Sequence, residues 1–379
     1  MLKDKGQVLK QVIIKKILSE GPINFETFMD MALYHPYLGY YMKDTTKIGK
    51  EGDFYTSPHL HPIFGAMIAR QLEEMWLLMD RPEPFYIIEM GAGMGYLAKD
   101  ILDYLHNRKE KKGIFKKIKY TIIELNPLIM ARQQELLSNF KDKVQWFSSM
   151  NELEPIKGCF LSNELLDAFP VRLVEKENDL KEIYVSVRNG NFVELKMPAG
   201  EEIRSYFEEF HINLPVRYRT EVNLRIKNWL KDIDSRLKEG FIITIDYGYT
   251  KDDYYSEERN RGTLLCYHKH QISEDPYKNI GEQDITSHVN FSSLKKWGDE
   301  IGIKTLGFCP QGTYLVSLGL DEVIEELYGG DHDFFEIAKI KGLILPQGMG
   351  QSHNVMIQYK GKKEFNLKGF SLRNRLNYL

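Results

Sequence analysis

Gly91, Gly93 and Gly95 stand close together in "FYIIEMGAGMGYLAKDIL", residues 85–102, between an apolar strand-like run and a helical pattern. A turn carrying three glycines lets backbone approach a ligand and reverse sharply, so it can cradle a phosphate, a dinucleotide or a sulfonium cofactor. The spacing is GxGxG, and Tyr96 occupies the position where a dinucleotide fingerprint carries its third glycine. Glu89 lies just before the first glycine, at the carboxyl end of the strand, where its charge repels a pyrophosphate but suits a sulfonium or an amino group. Glu124 closes the next strand-like run, "YTIIEL". An acid there accepts the two hydroxyls of a ribose, which serves NAD and S-adenosylmethionine alike. The pair marks a ribonucleoside site, and Glu89 with Tyr96 tilts it towards the sulfonium cofactor.

A second constellation is "CFLSNELLDAFP", with Asn163, Glu164 and Asp167 at the end of a further strand. If a helical turn begins after Asn163, Glu164 and Asp167 share a face. Two carboxylates on one face suit a guanidinium, whose planar fork binds them bidentately. The competing reading is a helix cap, with Asn163 or Asp167 satisfying free backbone amides. "IDYG" ends another strand, so that Tyr247 can stack on a ligand or Asp246 can cap the following turn. His59 and His61, like His268 and His270, form His-x-His pairs with no third ligand at standard spacing, so no metal is expected.

These residues need a scaffold that brings strand ends together. Apolar strands at 85–90, 119–124, 144–147 and 158–163 alternate with helices at 95–107 and 127–138, which implies parallel βαβ units and a doubly wound, mostly parallel α/β sheet. Helices at 7–19 and from Asn24 form a preface, and a helix follows at 63–79. Between 171 and about 218 short strands and the turn Asn189-Gly190 read as an inserted subdomain. A helix is expected at 220–238, then a buried strand ending on Asp246. Residues 35–62 and 249–291 are irregular and aromatic, the composition of loops that cover a site. A helix near 292–301, strands near 303–308 and at "NVMIQYK", and an acidic helix near 321–340 close the sheet. The expected division is 1–80 for N-terminal helices and a covering loop, and 81–379 for the sheet domain with its two insertions.

Composition narrows the class. The 379 residues carry 51 basic and 54 acidic side chains, a net charge of -3, so no global field favours nucleic acid or anionic lipid. The basic run "RKEKKGIFKKIK" reads as a solvated loop. Three scattered cysteines support neither a disulfide framework nor a thiolate metal site and fit a reducing compartment. No stretch approaches the roughly 18 apolar residues of a membrane span, and the lysine-rich start lacks a signal-peptide core.

In order, "YYMKDTTKIGKEGDFYTSP", "EMGAGMGYLAKDIL", "NELLDAFPV", "IDYG", "GTLLCYHKHQ" and "GEQDITSHVNF" resemble the MidA-like family of S-adenosylmethionine-dependent methyltransferases, over nearly the whole chain. The resemblance implies a Rossmann-like class I methyltransferase fold with an inserted segment. It places S-adenosyl-L-methionine on Gly91, Gly93 and Gly95, its ribose on Glu124, and Asn163, Glu164 and Asp167 beside the methyl group. It also implies a cover over the cofactor from residues 53–58, including Thr56 and Ser57. Mitochondrial relatives are protein arginine methyltransferases needed for assembly of respiratory complex I. The expected reaction is therefore methylation of arginine in a protein acceptor by a bacterial, cytoplasmic member, with oligomerisation open. Alternatives are a cofactor-binding assembly factor without turnover and a NAD-dependent oxidoreductase. Gln351, Ser352 and His353 stand where the resemblance implies a more basic and aromatic run, so the acceptor edge is expected to differ.

Overall fold

The computed structural model describes residues 5–43, 57–108, 113–329 and 334–379. Its frame is a seven-stranded sheet formed by β1 (Phe85–Met90), β2 (Ile118–Ile123), β3 (Val144–Phe147), β4 (Ile156–Asn163), β5 (Leu237–Tyr249), β6 (Ile303–Pro310) and β7 (His353–Lys360). The spatial order is β3-β2-β1-β4-β5-β7-β6, and a short strand, Val289–Asn290, lies along the end of β5. Strands β1 to β5 are parallel, whereas β7 runs antiparallel between β5 and β6. The chain moves outward from β1 through β2 to β3 and then returns to β4 on the other side of β1. The resulting switch point between β1 and β4 leaves a crevice at their carboxyl ends, where open α/β sheets bind ligands.

Both faces of the sheet are covered, which is why β4 and β5 are apolar almost throughout. Successive side chains alternate sides: Phe241, Ile243 and Ile245 join Ile87 and Leu161 in one core, and Ile242 joins Ile88 and Phe160 in the other. Helices Ile63–Leu78 and Tyr96–Asn107 pack on the first face, and Arg225–Arg236 and Phe291–Glu300 on the second. A third core joins the N-terminal helices Lys5–Glu20 and Phe25–Tyr34 to a separate antiparallel sheet. That sheet contains Arg172–Lys176, Leu180–Arg188, Asn191–Pro198 and Arg219–Val222, and Ile23–Asn24 pairs with its long strand. The Asn189-Gly190 turn is a two-residue hairpin with φ of 52° and 73°, as the Asn-Gly pair requires. Among the described residues no helix is long and apolar enough to cross a membrane.

Two expectations change. The helix expected at 220–238 is a strand, Arg219–Val222, followed by a shorter helix, Arg225–Arg236, because Thr220, Glu221 and Val222 are taken up by the inserted sheet. The acidic helix expected near 321–340 is two, Leu320–Tyr328 and Phe334–Ile344, the first ending on Gly329 in the left-handed conformation.

Candidate active site

Gly91, Gly93 and Gly95 follow β1 with φ of 71°, 53° and 86°. All three lie in the left-handed region that side chains resist. The turn is also tight: a Cβ on Gly91 would stand 2.8 Å from Leu165 Cδ1, and one on Gly95 3.3 Å from Gln133 Cγ. Gly95 leads directly into helix Tyr96–Asn107, whose amino end therefore faces the crevice. Above the turn opens a cavity of about 500 Å³. One half is lined by Glu89, Gly91, Gly93, Tyr96, Glu124 and Leu125, and the other by Asn163, Glu164, Asp167, Asp284, Tyr34 and Tyr41.

The first half has the features of a cofactor cradle. Glu89 is 2% exposed and accepts a hydrogen bond from the Tyr120 hydroxyl at 2.7 Å. Burial pushes its pKa up to about 7, against the opposing effect of that bond. Glu124 directly follows β2, with one oxygen accepting from the Asn126 backbone at 2.8 Å and the other from Gln133 Nε2 at 3.1 Å; burial raises its pKa too. Gln133 Nε2 also donates to Gly93 O at 2.8 Å, so glycine turn and Glu124 are tied through one amide. Asn126 caps helix Pro127–Leu136 with its oxygen and donates its amide to the carbonyls of Tyr41 and Lys43.

The second half is built from strand ends and distant segments. Glu164 does not share a helical face with Asp167, contrary to expectation. It adopts φ of 49° and hydrogen-bonds through its backbone N–H to Ile245 O, and a short 3₁₀ turn begins only at Leu166. The cap of this turn is supplied across the sheet. Asp246 Oδ2 accepts from the backbone N–H groups of Leu165, Leu166 and Asp167 at 3.2, 3.0 and 3.4 Å. Neither Asn163 nor Asp167 plays that part. The Tyr247 side chain does not line the cavity; its hydroxyl donates to Asp167 Oδ2. Asp167 is 4% exposed, and its Oδ1, like Asn163 Oδ1, is buried with no hydrogen-bond partner among the described residues. Burial drives the Asp167 pKa up to about 8, with Tyr247 opposing and the nearby Asp284 and Glu164 adding to the rise. Asp246 is pushed well above its ordinary value by burial and by the nearby Asp167 and Glu164.

Ser57 lies next to this half but not on the cavity wall. It is fully buried, with its backbone N–H 3.4 Å from Glu164 Oε1 and its hydroxyl donating to Gln311 Oε1 at 3.1 Å. Thr56 lies outside the described residues, as does most of the expected cover; Pro58, at its end, lines the cavity, as do Lys43 and His59.

Sequence reasoning passed over several side chains. Tyr41 donates to the Asp284 carboxylate at 2.8 Å and stacks on Tyr34. Arg225 holds Asp30 at 2.7 Å at the edge of the same cavity. Asp284 sits inside the quoted "GEQDITSHVNF", so its motif was visible although its role was not. Tyr41 likewise lies inside the quoted "YYMKDTTKIGKEGDFYTSP", whereas Tyr34, Asp30 and Arg225 carried no local signal, because each comes from a segment that reads as ordinary helix or loop.

Residues 67–309, well over half the chain, match the family model Methyltransf_28, described as "Putative S-adenosyl-L-methionine-dependent methyltransferase". The chain belongs to this family. A crystal structure of a protein from Burkholderia thailandensis bound to S-adenosyl-homocysteine superposes with a TM-score of 0.90 at 29% identity, covering 99% of this chain and 97% of that one. The protein arginine methyltransferase NDUFAF7 of Danio rerio mitochondria is 26% identical, across 89% of this chain and 84% of its own length. Its homologue in Drosophila melanogaster is 25% identical, across 85% and 77%.

The protein is thus an S-adenosylmethionine-dependent methyltransferase of class I fold, and the nicotinamide alternative falls away. The residues present fit that cofactor. The turn at Gly91 and Gly95 leaves little room for side chains, Glu124 lines the same cavity with a carboxylate, and Glu89 offers a buried acid on the inner side.

Proposed function

We propose that the protein methylates guanidinium nitrogens of arginine in a protein acceptor. The observation that carries this reading is a pair of buried oxygens, Asp167 Oδ1 and Asn163 Oδ1, with no partner among the described residues, in a cavity half that also holds Glu164 and Asp284. Orphaned buried acceptors cost free energy unless a ligand brings donors. A hydroxyl brings one donor; a guanidinium brings five in a plane, with a permanent charge that compensates carboxylates. The mitochondrial relatives described as protein arginine methyltransferases support the same assignment.

S-adenosylmethionine supplies an activated methyl group on a sulfonium. The protein's own contribution is positioning and exclusion of water. Gly91, Gly93 and Gly95 with Glu124 would hold the cofactor, and Asn163, Glu164 and Asp167 would orient the guanidinium so that one nitrogen presents its lone pair. Asp246 acts from behind by fixing the three backbone amides of the turn that carries these groups. Tyr247 and Tyr41 fix the rotamers of Asp167 and Asp284 by donating to them. The test is incubation with methyl-labelled cofactor and cell extract, followed by acid hydrolysis of the protein fraction. Label in methylarginine is expected. Label confined to lysine or small molecules would overturn the assignment.

A further inference from the structure

One buried base beside the acceptor half has no role in the scheme above. His353 opens β7, opposite Tyr247 of β5 in the antiparallel ladder, with its ring edge-on to the Tyr247 ring at 5.5 Å. Its Nε2 stands 3.6 Å from Glu164 Oε1, and both side chains are 8% exposed. That nitrogen is buried and makes no hydrogen bond among the described residues, while Nδ1 lies 3.0 Å from Ser352 Oγ. With the Nδ1 hydrogen donated to Ser352, Nε2 presents its lone pair to the carboxylate. Two lone pairs facing each other without a hydrogen between them account for a separation beyond normal hydrogen-bond length.

Methylation of a guanidinium creates a need for such a base. As the nitrogen lone pair forms the bond to the methyl carbon, the carbon–sulfur bond breaks and its electrons remain on sulfur, leaving a neutral thioether. The substituted nitrogen then carries one hydrogen too many and must release it as a proton for the product to be a monocation. In this half of the cavity Asp167 accepts from Tyr247, Asp284 accepts from Tyr41 and Asp30 pairs with Arg225, while Glu164 Oε1 is met only at 3.4 Å by the Ser57 N–H and at 3.3 Å by Asn163 Nδ2 among the described residues. Glu164 alone among these four has an imidazole behind it.

We propose that His353, acting through Glu164, takes up the proton released by the acceptor guanidinium. This rests on the arginine reading. The proton passes from nitrogen to Glu164 and on to His353 Nε2, so that Glu164 ends as it began and the imidazole leaves the step as a cation. His353 touches no substrate; it is a positioning and proton-holding residue. The titratable groups that face it are Glu164 from the turn after β4, Tyr247 from β5, and His288 from the segment before Val289–Asn290.

The test uses the full chain, methyl-labelled S-adenosylmethionine and extract from cells lacking the enzyme, with label in methylarginine as the rate. His353→Gln keeps a polar side chain that cannot take a proton. Its rate is expected to fall by roughly a hundredfold near neutral pH, with S-adenosylhomocysteine affinity unchanged and the deficit shrinking as pH rises. His353→Ala is expected to regain activity when imidazole is added. A wild-type rate and pH profile for His353→Gln, a deficit explained by lost cofactor affinity, or no response of His353→Ala to imidazole would each overturn the proposal. Should both variants fail to fold, Ser352→Ala carries the test, with a smaller loss and the same pH signature expected and an unchanged profile counting against it. A wild-type protein that labels no arginine refutes the arginine reading itself, an outcome distinct from equal labelling by wild type and variant.

Discussion

Replacing Glu89 by glutamine should stabilise the free protein and weaken its hold on the cofactor, each with a defined pH dependence. Glu89 is buried beneath the glycine turn, and burial lifts its pKa from 4.5 to about 7. The folded chain therefore holds a proton on this group between those values that the unfolded chain has released. Its contribution to stability is then most favourable below the unfolded value and is progressively lost as pH rises to the folded one. The loss amounts to about 3 kcal/mol by pH 8. Glutamine cannot ionise and still offers an oxygen to Tyr120. Urea denaturation of the two proteins should give nearly equal stabilities at pH 4, with glutamine ahead by that amount at pH 8. If the carboxylate receives the cationic end of the cofactor, binding must also expel the proton at pH values below about 7. Calorimetry with S-adenosylmethionine in buffers of different ionisation enthalpy should then detect proton release for wild type and none for Glu89→Gln. A stability difference that ignores pH, or identical proton release from both proteins, would refute the reasoning.

Asp167→Asn should lower arginine labelling by roughly a hundredfold, as expected for loss of a carboxylate that ionises against the bound guanidinium, while cofactor affinity by calorimetry is retained. Because Asp167 keeps a proton up to about pH 8 in the empty site, acceptor affinity should improve with pH until that value and level off above it. Tyr247→Phe removes the bond that opposes this rise, so the levelling point should move to higher pH. Asp246→Ala strands three backbone amides and should cost about 1–3 kcal/mol in urea denaturation, whereas Asp246→Asn, which keeps an oxygen, should cost less. Gly91→Ala forces a Cβ into the left-handed region at about 1–2 kcal/mol and against Leu165, and calorimetry should show loss of S-adenosylhomocysteine binding.

The two halves of the cavity differed in how far the sequence revealed them, for a physical reason. Cofactor binding depends on backbone shape at a single βα turn, and backbone shape has a local code: three glycines, a strand before and a helix after. Parallel strands likewise announce themselves, because burial on both faces demands continuous apolar runs. Side-chain geometry after Asn163 had no such code. Whether "NELLDA" would wind into a helix depended on Asp246, some 80 positions away, whose carboxylate substitutes for a local cap. Once that carboxylate caps the turn from across the sheet, Glu164 is free to take a left-handed conformation and point towards His353 rather than along a helical face.

The same dependence on distant partners explains why the acceptor half is costly to build. Asp167, Glu164, Asp246 and Asp284 come from three separate regions, and burial with repulsion from these neighbours opposes the ionisation of Asp167 and Asp246. Tyrosine hydroxyls and backbone amides offset part of that cost, but among the described residues Asp167 Oδ1 and Asn163 Oδ1 are left without donors. A fold selected for stability alone would fill such a space with apolar side chains. The free energy withheld in the empty site becomes available when a planar, multiply donating cation enters, so acceptor binding and proton release from Asp167 should be two readings of one event. Calorimetric proton release on adding an arginine-containing acceptor should accordingly fall to zero above about pH 8 and vanish in Asp167→Asn.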